Sequence, residues 1–225
     1  MSVSGLLWVA MITAVAASSV SPRIRGNSAP AAPLPPLRPA SAVLLSEDFE
    51  LGILPPNWAF TRTRADSDSI PGSWFVVPTD PKIAIGTGSF MAWVDWDSTQ
   101  AANEWLISPI LDLSAPGITD VSLDFLRVYH DPAQWAEEAT LTVLASRDGG
   151  ATFPDTLHRV GPQARPGRER VSIDLSHYAG HAIVRLGFQY KGQGGDSAGL
   201  DEITVRAGLP TTTRSSSWGR LRTRR

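Results

Sequence analysis

Short segments in which apolar and polar residues alternate recur through the middle of the chain, separated by loops rich in glycine, proline and aspartate. In Val121–Phe125 every second side chain is apolar, and Leu141 and Val143 share one face of a similar segment. A period of two is typical of β-strands. The pattern predicts strands at Ala42–Phe49, Ser73–Val77, Ser89–Asp95, Trp105–Ser108, Val121–Tyr129, Ala139–Ser146, Glu169–Asp174, Ile183–Tyr190 and Leu200–Arg206.

Few segments keep apolar residues at helical spacing for more than about two turns, and 131–139 is the best candidate for a helix. About nine strands joined by long polar loops favour two antiparallel sheets packed face to face. The predicted fold class is therefore all-β, a two-sheet antiparallel sandwich.

The two ends of the chain lack this patterning and are predicted to lie outside the folded domain, 42–208. An apolar run at 6–17 is too short to span a bilayer and suits a secretory signal, so 1–20 is predicted to be a signal peptide. No Lys or Arg precedes the run, and a retained N-terminal anchor is the alternative. The Pro/Ala-rich 21–41 predicts an extended linker, and 209–225 predicts a basic disordered tail. We expect a secreted or cell-surface protein with no membrane span in its mature chain.

Composition narrows the function further. The chain has no cysteine, which excludes disulfides and thiolate metal sites. All 22 acidic residues lie between Glu47 and Glu202, whereas only 12 of the 20 Lys and Arg residues lie in the same domain, so that its net charge is −10. Such an acidic domain is unsuited to nucleic acid and compatible with a bound cation.

Carboxylates stand beside the first and the last predicted strands. Asp48 and Glu50 follow the first strand, and Asp201 lies in the last. If these strands are neighbours, their carboxylates can share a hard cation such as calcium, which takes six to eight oxygen ligands. We predict Asp48, Glu50 and Asp201 as ligands, with Asp95 or Asp97 as a further contributor. Solvent-facing acids on edge strands are the alternative explanation.

Six sequence blocks in a fixed order resemble the MAM-like jelly-roll modules of bacterial surface and secreted proteins, known as cleaved-adhesin or choice-of-anchor J domains. The resemblance covers 43–207 and rests on the blocks at 47–58, 66–74, 103–114, 146–153, 174–180 and 200–205. It implies a jelly-roll sandwich related to galactose-binding-like modules, usually noncatalytic and often holding one structural calcium. The last block of the family usually carries two successive aspartates. Here Glu202 replaces the second, which leaves Asp201 as the better-matched ligand. The related eukaryotic domains carry disulfides, so the bacterial branch fits better.

Tryptophan distinguishes a scaffold from a binding surface, because it fills a core when buried and stacks on sugar rings when exposed. The resemblance places Trp58, Trp74 and Trp105 at positions that pack in the core. Trp96 and Trp135 have polar neighbours and are predicted to be exposed ligand contacts.

The segment Ser146–Phe153 resembles an Asp-box hairpin. In that motif the aspartate and the threonine, here Asp148 and Thr152, hydrogen-bond the turn while the aromatic residue packs beneath it. Its Asp-Gly step suits the positive φ angles of a tight hairpin. The motif is a structural turn and carries no implication of glycoside hydrolysis.

The function predicted from these features is a secreted, noncatalytic, calcium-stabilised module for adhesion or carbohydrate binding, with a glycan or a cell-surface protein as its partner. The chain has no Gly-x-Ser-x-Gly elbow, no cysteine nucleophile and no phosphate-binding glycine loop. Paired carboxylates keep open a carbohydrate-active enzyme, a lyase or a glycoside hydrolase, as an alternative. A purely structural surface module is the third possibility.

Overall fold

The computed structural model describes residues 41–65, 72–79, 88–97, 99–129, 139–161, 167–194 and 197–208. The chain divides into two compact units, Met1–Leu37 and Arg38–Arg225, and every described residue belongs to the second. The predicted signal peptide, nearly all of the predicted linker, the predicted tail and most of the helix candidate at 131–139 lie outside the described residues. Within the described part, no helix has the length and apolar character needed to cross a membrane.

The described residues form an all-β structure, as predicted, with a single 3₁₀ turn at Ser176–Tyr178. Its strands are β1 Ser41–Glu47, β2 Ala59–Phe60, β3 Phe75–Pro78, β4 Phe90–Val94, β5 Ala102–Ile107, β6 Val121–Tyr129, β7 Thr140–Ser146, β8 Asp155–Val160, β9 Gly167–Asp174, β10 Arg185–Gly192 and β11 Ala198–Gly208. Each predicted strand overlaps an observed one. The pattern missed β2, which has only two residues, and β8, whose central His158 and Arg159 disguise its alternation.

The strands form two antiparallel sheets. One has the order β3-β4-β11-β6-β9, with β1 also paired to β11, and the other has the order β2-β5-β10-β7-β8. On one side of β11, β4 pairs with its first residues and β1 with its last. The first and last strands are therefore neighbours, which is the condition that the shared cation site requires. The jelly-roll sandwich is confirmed.

Aromatic rings link the two sheets through the core. Phe49 contacts Trp58, with ring centroids 6.2 Å apart, and Trp58 contacts Phe188 at 6.3 Å. Phe188 in turn meets Phe125 of the opposite sheet edge-on at 5.6 Å. Trp58 and Trp74 are buried, as predicted. Tilted ring contacts of this kind stabilise a core beyond the area that they bury.

The prediction that Trp105 fills the core is wrong. Its neighbours in β5, Glu104 and Leu106, are both fully buried, and alternation along the strand places Trp105 on the outer face of the five-stranded sheet. There it is half-buried, and its Nε1 donates a hydrogen bond to Asn103 Oδ1 at 3.2 Å.

Candidate functional site

A β-bulge in β11 positions the acidic residues of the last strand. Asp201 pairs with Leu126 and Thr204 with Asp124, so β11 contains one more residue than β6 between the two pairs. Glu202 lies in this bulge with a φ of 48°. The bulge interrupts the alternation, and two acids in succession fall between the core residues of the strand.

The loop after β1 brings two more acids to the bulge. Phe49 has a φ of 56° and is fully buried in the core, which leaves Asp48 and Glu50 exposed on either side of it. Glu50 Oε1 accepts hydrogen bonds from the backbone N–H groups of Ser89 at 2.7 Å and Phe90 at 3.0 Å. Gly88 makes this approach possible, because a Cβ there would lie 1.9 Å from Glu50 Oε1.

Asp201 is a buried acid with an unsatisfied oxygen. Its exposed fraction is 1%; Oδ1 accepts a hydrogen bond from Glu202 N at 2.7 Å, and Oδ2 has no hydrogen-bond partner. Burial, followed by the nearby carboxylates of Glu202, Glu50 and Asp48, raises the pKa of Asp201 to about 7. A buried acceptor without a partner costs about 1–3 kcal/mol, so this oxygen needs either a proton or a cation.

The structure thus brings together three of the predicted ligands, Asp48, Glu50 and Asp201, and adds Glu202. Glu202 also forms an ion pair with Arg170 of β9. We name Asp48, Glu50, Asp201 and Glu202 the acid cluster. In the described ranges, no three carboxylate or histidine side chains form a metal-binding group by themselves. A cation bound here would therefore need backbone carbonyls or water to complete its coordination.

Asp95 does not join the acid cluster. Leu200 pairs with Ala92, and Asp95 lies three residues after Ala92, just past the end of β4 and about 10 Å from Ala92 at the usual rise of a strand. Its Oδ1 accepts hydrogen bonds from Trp93 Nε1 at 2.6 Å and Ser197 Oγ at 2.9 Å. Asp97, the alternative, uses its carboxylate to hold its own loop, and hydrogen bonds from Thr99 lower its pKa.

The structure places only one of the two predicted ligand-contacting tryptophans. Trp96 is half-buried, and its backbone N–H donates to Ser197 Oγ at 3.4 Å. Its role as a ligand contact stays a prediction. Trp135 lies outside the described residues.

The hairpin between β7 and β8 has the hydrogen bonds that its sequence predicted. Asp148 accepts from Ser146 Oγ at 2.6 Å, from Thr152 N at 3.0 Å and from Thr152 Oγ1 at 2.6 Å. These bonds lower the pKa of Asp148. Gly149 and Gly150 have φ angles of 73° and 95°. The aspartate therefore stabilises the turn.

An aromatic and polar row on the outer face of the five-stranded sheet escaped the sequence analysis. Cross-strand pairing aligns Trp105, Gln189, Thr142 and Arg159, and we name these four residues the sheet-face row. Phe153 packs against Trp105 with ring centroids 5.0 Å apart. The sequence offers no clear signal for the row, because both faces of β5 carry apolar side chains and the resemblance places Trp105 in the core.

Amide groups border the exposed part of the Trp105 ring. Gln189 Nε2 donates to Asn103 Oδ1 at 2.6 Å, the same oxygen that Trp105 Nε1 reaches. Gly187 lies under the ring, where a Cβ would come within 2.9 Å of it. The face therefore offers an apolar platform with hydrogen-bonding groups at its edge.

Comparisons with known proteins identify the fold. No family model matches the chain, and no curated protein matches it. The K1 cleaved adhesin domain of Lys-gingipain from Porphyromonas gingivalis matches with a TM-score of 0.54 and 20% identity, over 74% of this chain and 97% of that domain. The K3 cleaved adhesin domain of the same protein matches with a TM-score of 0.52 and 19% identity, over 75% and 100%.

A more distant match is the module TmCBM61, solved in complex with β-1,4-galactotriose, with a TM-score of 0.47 and 14% identity over 71% of this chain and 93% of that one. At identities of 20% or less, these likenesses concern the fold. The chain has the jelly-roll β-sandwich fold of the cleaved adhesin domains.

Proposed function

We propose that this chain is a noncatalytic module that acts outside the cell or at the cell surface and binds a glycan on the outer face of its five-stranded sheet. The sheet-face row carries the proposal. Trp105 packs over Gly187 and against Phe153, with the amides of Asn103 and Gln189 beside it. Aromatic faces stack on the apolar faces of sugars, and neighbouring amides bind their hydroxyls.

The likeness to cleaved adhesin domains agrees with a surface-binding role, although it does not name a ligand. A cell-surface protein as the partner is therefore the alternative within the same class. Both partners would bind a surface that is already formed, without a chemical step.

We further propose that one calcium ion binds at the acid cluster. Asp201 Oδ2 supports this proposal, because it is buried, has no hydrogen-bond partner and belongs to a carboxyl group whose pKa is about 7. Asp48, Glu50 and Asp201 would hold the ion together with backbone carbonyls. Calcium would supply the positive charge that lets these neighbouring carboxylates ionise together.

An enzyme is the second candidate function, and the acid cluster is the observation that favours it. An acid with a pKa of about 7 beside other carboxyl groups is suited to general acid catalysis at neutral pH. However, Asp201 is only 1% exposed, and its one hydrogen-bonded oxygen faces the backbone of Glu202. A glycosidic oxygen would have no access to it, so we favour the noncatalytic module.

A glycan array probed with the intact chain tests the proposal, followed by Trp105→Ala and Trp96→Ala on any glycan that binds. We expect Trp105→Ala to weaken binding by about 2 kcal/mol, roughly 30-fold, because it removes the aromatic platform. Trp96→Ala is the comparison variant, since it tests the other predicted ligand-contacting tryptophan in the described residues.

If Trp96→Ala alone loses binding, the glycan binds at the loop that carries Trp96 and not on the sheet face. Release of new reducing ends from a bound glycan would refute the noncatalytic function. Thermal unfolding of both variants shows whether either effect comes from lost stability.

A further inference from the structure

Three polar side chains from both sheets lie near enough to interact electrostatically at one edge of the sandwich. Arg127 belongs to β6 and Glu169 to β9, whereas His158 belongs to β8 of the other sheet. Because β9 and β8 are the last strands of their sheets, the three residues lie where the sandwich ends. We name them the edge cluster.

Arg127 continues the core-facing series of β6, in which Leu123 and Phe125 are fully buried. Its own exposed fraction is 6%. Its Nη2 donates to Glu169, its partner in the register of β9, whose side chain is 55% exposed. The Nε and Nη1 atoms of Arg127 are buried and have no acceptor.

His158 faces the same region from the opposite sheet. Its ring meets Phe125 edge-on, with centroids 6.4 Å apart, and its buried Nε2 has no hydrogen-bond partner. Burial, followed by the charge of Arg127, lowers the pKa of His158. The imidazole is therefore neutral at pH 7, when its Nε2 is able to accept or donate one hydrogen bond.

A second buried arginine, Arg64, forms an ion pair whose role is purely structural, and it can be compared with the pair in the edge cluster. Arg64 also has two nitrogens without an acceptor, but its partner Glu104 is fully buried. The Glu104 carboxylate accepts hydrogen bonds from Thr63 N, Thr63 Oγ1 and Arg64 N, so the pair fastens the loop after β2. In the edge cluster the carboxylate of Glu169 is open to solvent instead, and the unsatisfied atoms come from both sheets.

The charges of the edge cluster select the chemistry of its ligand. Glu169 already neutralises Arg127, His158 is uncharged, and the whole domain is acidic. An anion would therefore add an uncompensated charge next to buried groups. A hydroxyl group fits better, because it accepts from the Arg127 guanidinium and donates to Glu169 or to His158 Nε2.

We propose that the edge cluster is a second binding site, which takes the hydroxyl groups of a neutral sugar residue between Arg127, His158 and Glu169. The choice of a sugar rests on the proposed glycan-binding function, whereas the location does not. The Glu169 side chain is the most exposed of the cluster, so a ligand would enter past it. Its hydroxyl groups would then satisfy buried polar atoms that otherwise weaken the fold.

The test uses the full chain carrying Trp105→Ala, which removes the sheet-face platform. This protein is titrated with the methyl glycosides of galactose, glucose, mannose and xylose, and with glucuronate, while NMR follows the His158 side-chain resonances. We expect at least one neutral glycoside to shift them saturably.

Adding Arg127→Met should weaken that binding at least tenfold and leave the melting temperature unchanged or higher, because unsatisfied buried donors are removed. Arg168→Met, an exposed neighbour on β9, is the control that should bind as before.

Equal affinities with and without Arg127→Met, or no shift of the His158 resonances by any glycoside, would overturn the proposal. Tighter binding of glucuronate than of every neutral glycoside would overturn the neutral class of ligand. His158→Phe is a second variant that keeps the Arg127–Glu169 pair and should also lose binding. If glycans bind the unmodified chain only through Trp105, this inference fails and the proposed function stands. If binding depends on Arg127 and is unaffected by Trp105→Ala, the edge cluster is a glycan site and the proposed site at the sheet-face row fails.

Discussion

The bulge around Asp201 and the hairpin around Asp148 place an aspartate in opposite surroundings. Asp148 is solvated, and its oxygens accept three hydrogen bonds from Ser146 and Thr152, which lower its pKa. Asp201 is buried, has one unsatisfied oxygen and stands among other carboxylates, which raise its pKa to about 7. One aspartate stabilises a turn when ionised, whereas the other destabilises the fold when ionised.

The difference shows that the role of a carboxylate depends on which part of the chain provides its hydrogen-bond donors. At the hairpin, donors come from within six residues of chain, so the motif is complete without the rest of the protein. At the bulge, the single donor to Asp201 is the next N–H along the chain, and the charged side chains that act on its pKa are all acidic. Such a site gains stability only from a proton or a cation.

The largest expected effect is the response of metal-free Asp201→Asn to pH. The folded-state pKa of Asp201 lies above its ordinary value of about 3.9, so the folded protein holds its proton more tightly than the unfolded chain does. The wild type should therefore lose stability as pH rises from about 4 to 7, by about 4 kcal/mol for this group, and stay at that lower level above pH 7. Asp201→Asn cannot ionise and should not show this loss.

Chemical denaturation with a chelator present, at pH 5 and pH 8, measures this difference. Asp201→Asn should be the more stable protein at pH 8, with a smaller advantage at pH 5. A variant that is less stable than the wild type at pH 8 would show that Asp201 is not a destabilising charge.

The second effect is stabilisation by calcium at pH 8. A single site at 100-fold excess of calcium over its dissociation constant adds about 2.7 kcal/mol. Asp201→Asn should lose most of this gain, because it removes the charged oxygen that has no other partner. Thermal unfolding with calcium, with magnesium and with chelator provides the measurement, and identical melting temperatures in all three would refute the calcium proposal.

The smallest expected effect is at the hairpin. Asp148→Ala removes the acceptor of three hydrogen bonds and should lower the melting temperature at pH 7, by less than the changes at Asp201. Because the pKa of Asp148 is lowered, its contribution is complete above pH 4 and disappears as pH falls below that, the opposite slope to Asp201. Asp112→Ala is the matched control, since Asp112 bonds only Ser114 in a similar exposed turn. If Asp148→Ala and Asp112→Ala have the same melting temperature, the hydrogen bonds of Asp148 stabilise the protein no more than those of an ordinary exposed turn.

Local patterns predicted most of the fold. Alternation over Val121–Phe125 helped to place β6 at its observed bounds, and the Asp-Gly step with Thr152 predicted the hairpin, because both depend on neighbours in the chain. β8 was missed because a polar His158 occupies an inward position there. The grouping of Asp48, Glu50 and Asp201 was conditional on the first and last strands being neighbours, and the register shows that they are. A cation shared by these residues stays a prediction.

The sequence by itself determined that this protein is a two-sheet β-sandwich and that Asp148 closes a turn, since alternation and turn chemistry act over a few residues. Only the tertiary structure decided which face of β5 is inside, because both faces carry apolar side chains and burial of Glu104 depends on Arg64 and Thr63 from another loop. It also decided that Asp201 is buried without a partner and that Arg127 meets His158 across the sheets. These relations join residues far apart in the chain, and strand register and the bulge in β11 set them.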